Sequence, residues 1–255
     1  MPATIWIGNI HFGTISVPVK LHTAVSQDRV EFHLLHKTDR VRLRQQMICA
    51  LEKTPIPAEE QVKGFRLEER KYVLIAPADL EQAEPEGGRE IAVHEFVAAG
   101  EIDPVYRERT YFLEPGEAPA GYAALAAALW EMKAEGICTW VMRKRAYLGA
   151  LASGGKTLRL GVLRYADEVI PAGSLGLEDF SLSEKELEIG AQLIDRLSVP
   201  FQPGKYADEH QGKLRRLLER KARGEKISLL QPRQLRHTEG GKLLAALEAS
   251  LKAAK

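Results

Sequence analysis

The chain has little cysteine, no long apolar run and almost no net charge. Its two cysteines, Cys49 and Cys138, lie far apart in 255 residues. That excludes a disulfide framework and fits a reducing compartment, where free cysteines are small buried hydrophobes. No stretch approaches the roughly 18 apolar residues that cross a bilayer, so no membrane partner is expected. The opening MPATIWIGNIHFG lacks the basic start and apolar core of a secretion signal, so a cytoplasmic location is expected. A net charge of +1 does not by itself point to nucleic acid. Hydrophobic content of 45% and charged content of 28% are those of an ordinary globular protein, with room for one large domain or a domain and an appendage.

Catalytic chemistry is also missing. Gly155-Lys156-Thr157 imitates the end of a phosphate loop, but the glycine required five positions earlier is Ala150. Leu158, Leu160 and Val162 then alternate as in a strand, where a phosphate loop needs a helix. His33, His36 and Cys49 fall short of the roughly four ligands of a zinc site, and on a strand the two imidazoles face opposite ways. Glu101 and Asp103 read as a solvated turn. No serine or cysteine has a base that spacing can place beside it. The expectation is no catalytic residue, no metal and no cofactor.

What is present reads first as strands. Ile5–Phe12, bent at Gly8, and Ile15–Val25, with Pro18 marking an edge or bulge, open the chain. Val30–His36, Val41–Ile48, Gln61–Leu67 and Lys71–Ile75 follow, then a short helix from Pro77. Ile91, Val93 and Val97 alternate into the turn Glu101–Pro104. An alanine-rich helix is expected over Pro119–Glu135, capped at Gly136. Strands Ile137–Arg143, Arg145–Ser153 and Lys156–Tyr165 come next, the last two joined through Gly154-Gly155. Ser183 and Glu186 form a capping box before a helix whose apolar face is Leu187, Ala191, Ile194 and Leu197. A basic amphipathic helix spans Asp208–Arg223, and Leu243–Leu251 is weakly helical. Many short strands with few helices predict a mainly β protein with α elements, of α+β class and built on a barrel.

Charge is unevenly placed. Residues 205–255 hold 13 Lys and Arg against 6 Asp and Glu, a net of +7, which leaves −6 on the rest. Arg40, Arg42 and Arg44 share one face of a predicted strand, where like charges repel and call for water or a polyanion. Arg143-Lys144-Arg145 forms a basic corner, and Lys156, Arg159 and Arg164 surround the next hairpin. Arg107 and Arg109 lie beside the acidic turn. Such residues hold phosphates without reading bases. The helix at 208–223 reads as a packed helix with a solvated face or, functionally, as a partner-binding helix or a second DNA contact.

Residues 89–115, REIAVHEFVAAGEIDPVYRERTYFLEP, resemble the central signature of the prokaryotic Ku family. IWIGNIHFGTISVPVKLHTA (5–24) is similar to that family's opening strand pair, and VEFHLLHK (30–37) to its next strand. VKGF (62–65) with KYVLI (71–75), and FQPGKYADEH through KARGE (201–225), continue the match in order over roughly residues 3–226. The resemblance implies a β-barrel core with extended segments, two copies of which close a ring around duplex DNA. It implies a non-catalytic, nucleoid-associated homodimer that binds double-stranded DNA ends without sequence preference in non-homologous end joining. It also implies an ATP-dependent DNA ligase as partner, recruited through the C-terminal region. The paired cysteines that some members carry near Cys49 are missing, as is a long lysine-rich tail.

The resulting expectations are a core and bridge over 1–180, a helical region over 181–226 and a short basic tail over 227–255. From charge geometry, Arg42, Arg44, Arg143, Lys144, Arg145, Lys156 and Arg159 are expected to face the duplex; the resemblance implies ligase binding for Lys213, Arg216, Arg220 and Arg223, with DNA contact the second reading. The rival reading is a β-barrel adaptor whose basic helix binds an acidic protein.

Overall fold

The computed structural model describes residues 3–26, 29–68, 71–176 and 183–224. The expectations for Leu243–Leu251 and for the tail 227–255 lie outside them. The chain divides into two units, residues 1–27 with 33–171 and residues 28–32 with 172–255.

In the first unit seven strands close into a barrel. They are β1 (Thr4–Phe12), β2 (Ile15–Thr23), β5 (Glu90–Ala98), β6 (Arg107–Pro115), β7 (Ala134–Met142), β8 (Arg145–Ser153) and β9 (Leu158–Leu163). Around the barrel the order is β1-β2-β6-β9-β8-β7-β5. All neighbours are antiparallel except β1 and β5, which close the circle in parallel through Asn9–Glu90, Ile10–Ile91 and His11–Ala92. Gly8 permits that closure: a Cβ there would lie 2.3 Å from the carbonyl oxygen of Arg89. Next to it the Asn9 N–H donates to the same oxygen at 2.8 Å. Pro18 pairs with Asn9 on one side, while the β2–β6 ladder begins only at Val19, so its missing N–H costs no ladder bond.

Period-two alternation fills the core. Val17, Val19 and Leu21 from β2, Leu113 from β6, and Leu158, Leu160 and Val162 from β9 are all buried. Helix α2 (Pro119–Glu131) adds Tyr122, Leu125, Ala126 and Leu129 to the same cluster. Each fully buried aliphatic side chain is worth about 1.5–3 kcal/mol. Tyr122 Oη donates to the Leu113 carbonyl at 2.6 Å and accepts from the Leu158 N–H at 2.8 Å, which ties the helix to two strands. The helix stops at Glu131, short of the expected Glu135, because Lys133 turns left-handed at φ 47° and Ala134 starts β7. Gly136 is therefore no cap. It sits in β7, where a Cβ would lie 3.1 Å from the Phe96 ring.

Between β2 and β5 runs an arm. It contains a two-stranded sheet, β3 (Lys63–Glu68) with β4 (Lys71–Ile75), and the short helix α1 (Pro77–Gln82). The strands expected at Val30–His36 and Val41–Ile48 do not form. Among the described residues only single bridges appear there, Leu35–Arg42 and Ile48–Pro55, and no neighbouring strand extends either ladder. Two turns share one hydrogen-bond pattern. His36 N–H donates to Val41 O and Arg40 N–H to His36 O; Cys49 N–H donates to Thr54 O and Lys53 N–H to Cys49 O. Arg40 and Lys53 are both left-handed at φ 61°.

The second unit contains α3 (Glu184–Leu197) and α4 (Glu209–Ala222). The Ser183–Glu186 capping box forms as the sequence predicts, with the Glu186 carboxylate accepting the Ser183 N–H at 2.8 Å. Asp208 caps α4 by accepting the Gln211 N–H. Gln211 Oε1 in turn accepts the Val30 N–H at 3.0 Å and fixes the strip 29–32.

Candidate nucleic-acid interface

Each expected DNA-facing residue is exposed, but they do not form one patch. Arg42 and Arg44 sit on the arm, one residue and three residues beyond a turn pinned by Asp39. The Asp39 carboxylate accepts the Val41 N–H at 3.0 Å and pairs with His36 Nδ1 at 2.9 Å. The Val41 N–H first, and His36 second, hold that carboxyl below its usual range. With no strand beneath them, the shared face drawn for Arg42 and Arg44 is replaced by a bridge at Arg42 alone.

Arg143 and Lys144 make the two-residue turn between β7 and β8, closed by the pair Met142–Arg145. Both are left-handed, at φ 53° and 63°. Turns of this hand favour Asn-Gly, and a side chain with a Cβ costs about 1–2 kcal/mol per residue there. Two basic side chains are thus presented on a tight tip at a backbone cost. Lys144 is committed elsewhere: its Nζ donates to Glu84 Oε1 at 2.8 Å, and Glu84, with Glu81 behind it, raises the ammonium pKa.

Lys156 and Arg159 lie at the other end of β8. That nine-residue strand covers about 27 Å at roughly 3.3 Å per residue, so the two basic groups sit at opposite ends of the barrel. The Gly154-Gly155 turn between β8 and β9 forms as expected, with Gly155 at φ 87° and the Ser153 hydroxyl accepting the Gly155 N–H. The Arg159 guanidinium packs over Gly154, which has no side chain to obstruct it.

Three other arginines are taken up by the barrel. Arg107 donates to Glu135 at 2.6 Å across a half-buried pair. Arg164 donates to the carbonyls of Val105 and Arg107, both at 2.8 Å. Arg109 pairs with its neighbour Glu108, whose carboxylate raises the guanidinium pKa.

A polar cleft was not legible from charge runs. On the outer face of β2, Lys20 and His22 stand across from β6 through the pairs Lys20–Glu114 and His22–Phe112. Lys20 Nζ lies 3.1 Å from one Glu114 oxygen and His22 Nε2 lies 2.8 Å from the other. Lys20 above all, then His22, lowers the Glu114 pKa. Lys156 and Thr157 line the same cleft of about 870 Å³. Period-two alternation places Lys20 and His22 on one face, but no sequence rule aligns Glu114 or Lys156 with them.

In the second unit Lys213, Arg216, Arg220 and Arg223 are exposed along α4 at three- and four-residue spacing, with Leu214, Leu217 and Leu218 half-buried. Lys213 pairs with Glu209 at 3.3 Å. Arg220 in the last turn and Arg223 at the C-cap suit the helix dipole. Among the described residues, no three His, Cys, Asp or Glu side chains converge on a metal position, and no helix is long and apolar enough to cross a membrane.

Residues 11–189 match the family model described as the Ku70/Ku80 beta-barrel domain. The chain is 59% identical over 249 residues to non-homologous end joining protein Ku 2 of Geotalea uraniireducens (strain Rf4), covering 98% of this chain and 97% of that one. It is 37% identical over 259 residues to non-homologous end joining protein Ku of Anaeromyxobacter sp. (strain K), covering 100% and 87%. The Ku protein of Solibacter usitatus (strain Ellin6076) is 33% identical over 258 residues, covering 100% and 95%.

Proposed function

The chain belongs to the Ku β-barrel family, and on that premise we propose that it binds the ends of double-stranded DNA in non-homologous end joining. Two copies form the ring, no bond is made or broken by the protein, and the C-terminal helical region recruits an ATP-dependent DNA ligase. One observation carries the pairing. On the arm, Leu34, Met47, Val62, Phe65 and Leu74 are between 63% and 72% exposed. An isolated two-stranded sheet is marginal in water, and large apolar side chains left exposed on both of its faces and on the loop before it support a missing partner. A second copy of the same arm supplies one.

A ring explains end preference by topology. A closed loop of protein cannot mount a circular duplex, so no group need read the chemistry of an end. Cations then only hold and orient the duplex. DNA carries about one charge per 1.7 Å, so a few arginines and lysines per copy are enough. Exposed Arg42, Arg44, Arg143, Arg145, Lys156 and Arg159 are the grip in this reading, with Lys144 contributing once it leaves Glu84.

Gel shifts on linear and covalently closed duplexes of equal length test the reading. Binding to linear DNA alone is expected. Equal binding to both topologies refutes the ring, and binding to neither favours the adaptor. Arg42→Glu with Arg44→Glu should lower the slope of log affinity against log salt by about 0.9 for each phosphate that the arm no longer neutralises. An unchanged slope removes the arm from the DNA site. Deleting 205–255 should preserve end binding and abolish ligase stimulation, and full stimulation by the shortened chain places recruitment elsewhere.

A further inference from the structure

The cleft between β2, β6, the first turn of α2 and the β8–β9 turn shares only Lys156 with the grip just described. It brings Lys20 and His22 onto one carboxylate, Glu114, and Lys156 lines the same space. Glu114 acts as a resident anion, one oxygen facing Lys20 and the other facing His22. That arrangement is weak enough to exchange. The Lys20 and Glu114 side chains are 42% and 49% exposed, and such pairs contribute little. His22 is a built element of the site, 7% exposed and held against the barrel wall.

Gly155-Lys156-Thr157, which fails as a phosphate loop for want of a helix, nonetheless delivers Lys156 and the Thr157 side chain to this cleft. The remaining lining is different in kind. Phe112, 40% exposed, lines the cleft together with Pro119 and Tyr122, apolar groups suited to a flat ring or a sugar. At about 870 Å³ the space is far larger than an ion and falls in the range of small-molecule sites.

We propose that this cleft binds a phosphomonoester of nucleotide size. Its dianion sits between Lys20 and Lys156 in place of the Glu114 carboxylate, and its nucleoside lies against Phe112. A monoester fits better than a chain phosphodiester because two lysines face two charges, and because a group bound inside a cleft must be terminal. The inference rests on the DNA-end reading only for one source of the phosphate, the 5′-terminal nucleotide of a duplex. A free mononucleotide is the other source.

The full chain is titrated calorimetrically with adenosine monophosphate and with adenosine, then with duplexes carrying 5′-phosphate or 5′-hydroxyl ends. Adenosine monophosphate should bind and adenosine should not. Lys156→Ala and, independently, Lys20→Ala should each weaken the monophosphate about tenfold, the size of one charged hydrogen bond. Glu114→Gln should strengthen it severalfold, a gain that a merely structural ion pair does not produce. Tighter binding of phosphorylated ends, lost in Lys156→Ala, identifies the duplex as the source. Monophosphate binding with no difference between ends identifies the free nucleotide. No discrimination in either arm, or affinities indifferent to both Lys156→Ala and Glu114→Gln, overturns the proposal. If linear DNA fails to bind whatever its ends, the end-binding reading falls while the monophosphate arm still decides the cleft.

Discussion

The barrel and the arm use the same kinds of residue to opposite effect. In the barrel, Ile10, Leu21, Leu113 and Leu160 are no more than 1% exposed, whereas in the arm Leu34 and Leu74 are 72% and 68% exposed. Both regions contain alternating apolar strands. What separates them is the number of neighbours. Seven strands close on themselves and leave no edge, so every inward side chain meets another. Two strands have one covered face at most and no second layer in the described residues to cover it. A pattern of alternation therefore guarantees amphipathicity, and burial follows only when topology supplies the opposite wall.

The largest contrast should appear between the two thiols. Burial in the barrel pushes the Cys138 thiol up to about 12, while the backbone N–H groups of Glu52, then Leu51, lower that of Cys49 in its arm turn. At pH 8 the thiolate of Cys138 is roughly one part in ten thousand. A thiol reagent should modify one cysteine per native chain, Cys49, and reach Cys138 only on unfolding; two fast equivalents would contradict this burial. Linkage follows with a definite sign. The folded chain keeps the Cys138 proton up to about pH 12 while the unfolded thiol loses it near 9.0, so unfolding gains from ionisation and the barrel loses stability as pH rises through that window.

Core packing comes next. Leu160→Ala should cost about 2–5 kcal/mol in urea melts. Gly149→Ala should cost about 3 kcal/mol, since its Cβ would lie 2.4 Å from the Trp140 ring and 2.6 Å from the Gly161 carbonyl oxygen. A neutral result at both positions would show that the barrel has room to relax.

Phe65→Ser with Leu74→Ser sharpens the comparison from the arm's side. At dilutions where the chain is single, stability should stay within about 0.5 kcal/mol of the parent. The dissociation constant of the proposed dimer, measured by sedimentation, should rise at least about tenfold. A stability loss without a change in association would make the arm part of the barrel's own core. Smallest of all, Lys144→Ala removes an exposed pair with Glu84 and should cost under about 1 kcal/mol.

Strand periodicity, hairpin glycines and the Ser183 cap were legible because they depend on residues two to four apart. The two strands expected around Arg42 fail for the same reason: Val30–His36 and Val41–Ile48 have the local pattern, but a strand exists only if another lies 4.8 Å away, about the spacing of sheet neighbours. The end of α2 also departs from expectation, since Gly136 resembles a cap yet its missing side chain makes room for Phe96. Among the basic residues, the sequence showed the runs Arg143–Arg145 and Lys156–Arg159 and was silent on their separation. It was silent too on the commitment of Arg107 and Lys144 to Glu135 and Glu84.

The order of residues alone determined the family, the α+β class, the barrel and the placement of turns, because alternation and turn chemistry are local and the family's segments appear in sequence. Only the tertiary structure decided which cations are spent inside the molecule, which stand at opposite ends of β8, and that Lys20, His22, Glu114 and Lys156 share one cleft. Those facts are set by register between strands distant along the chain, and a register is fixed by the closing of the barrel as a whole.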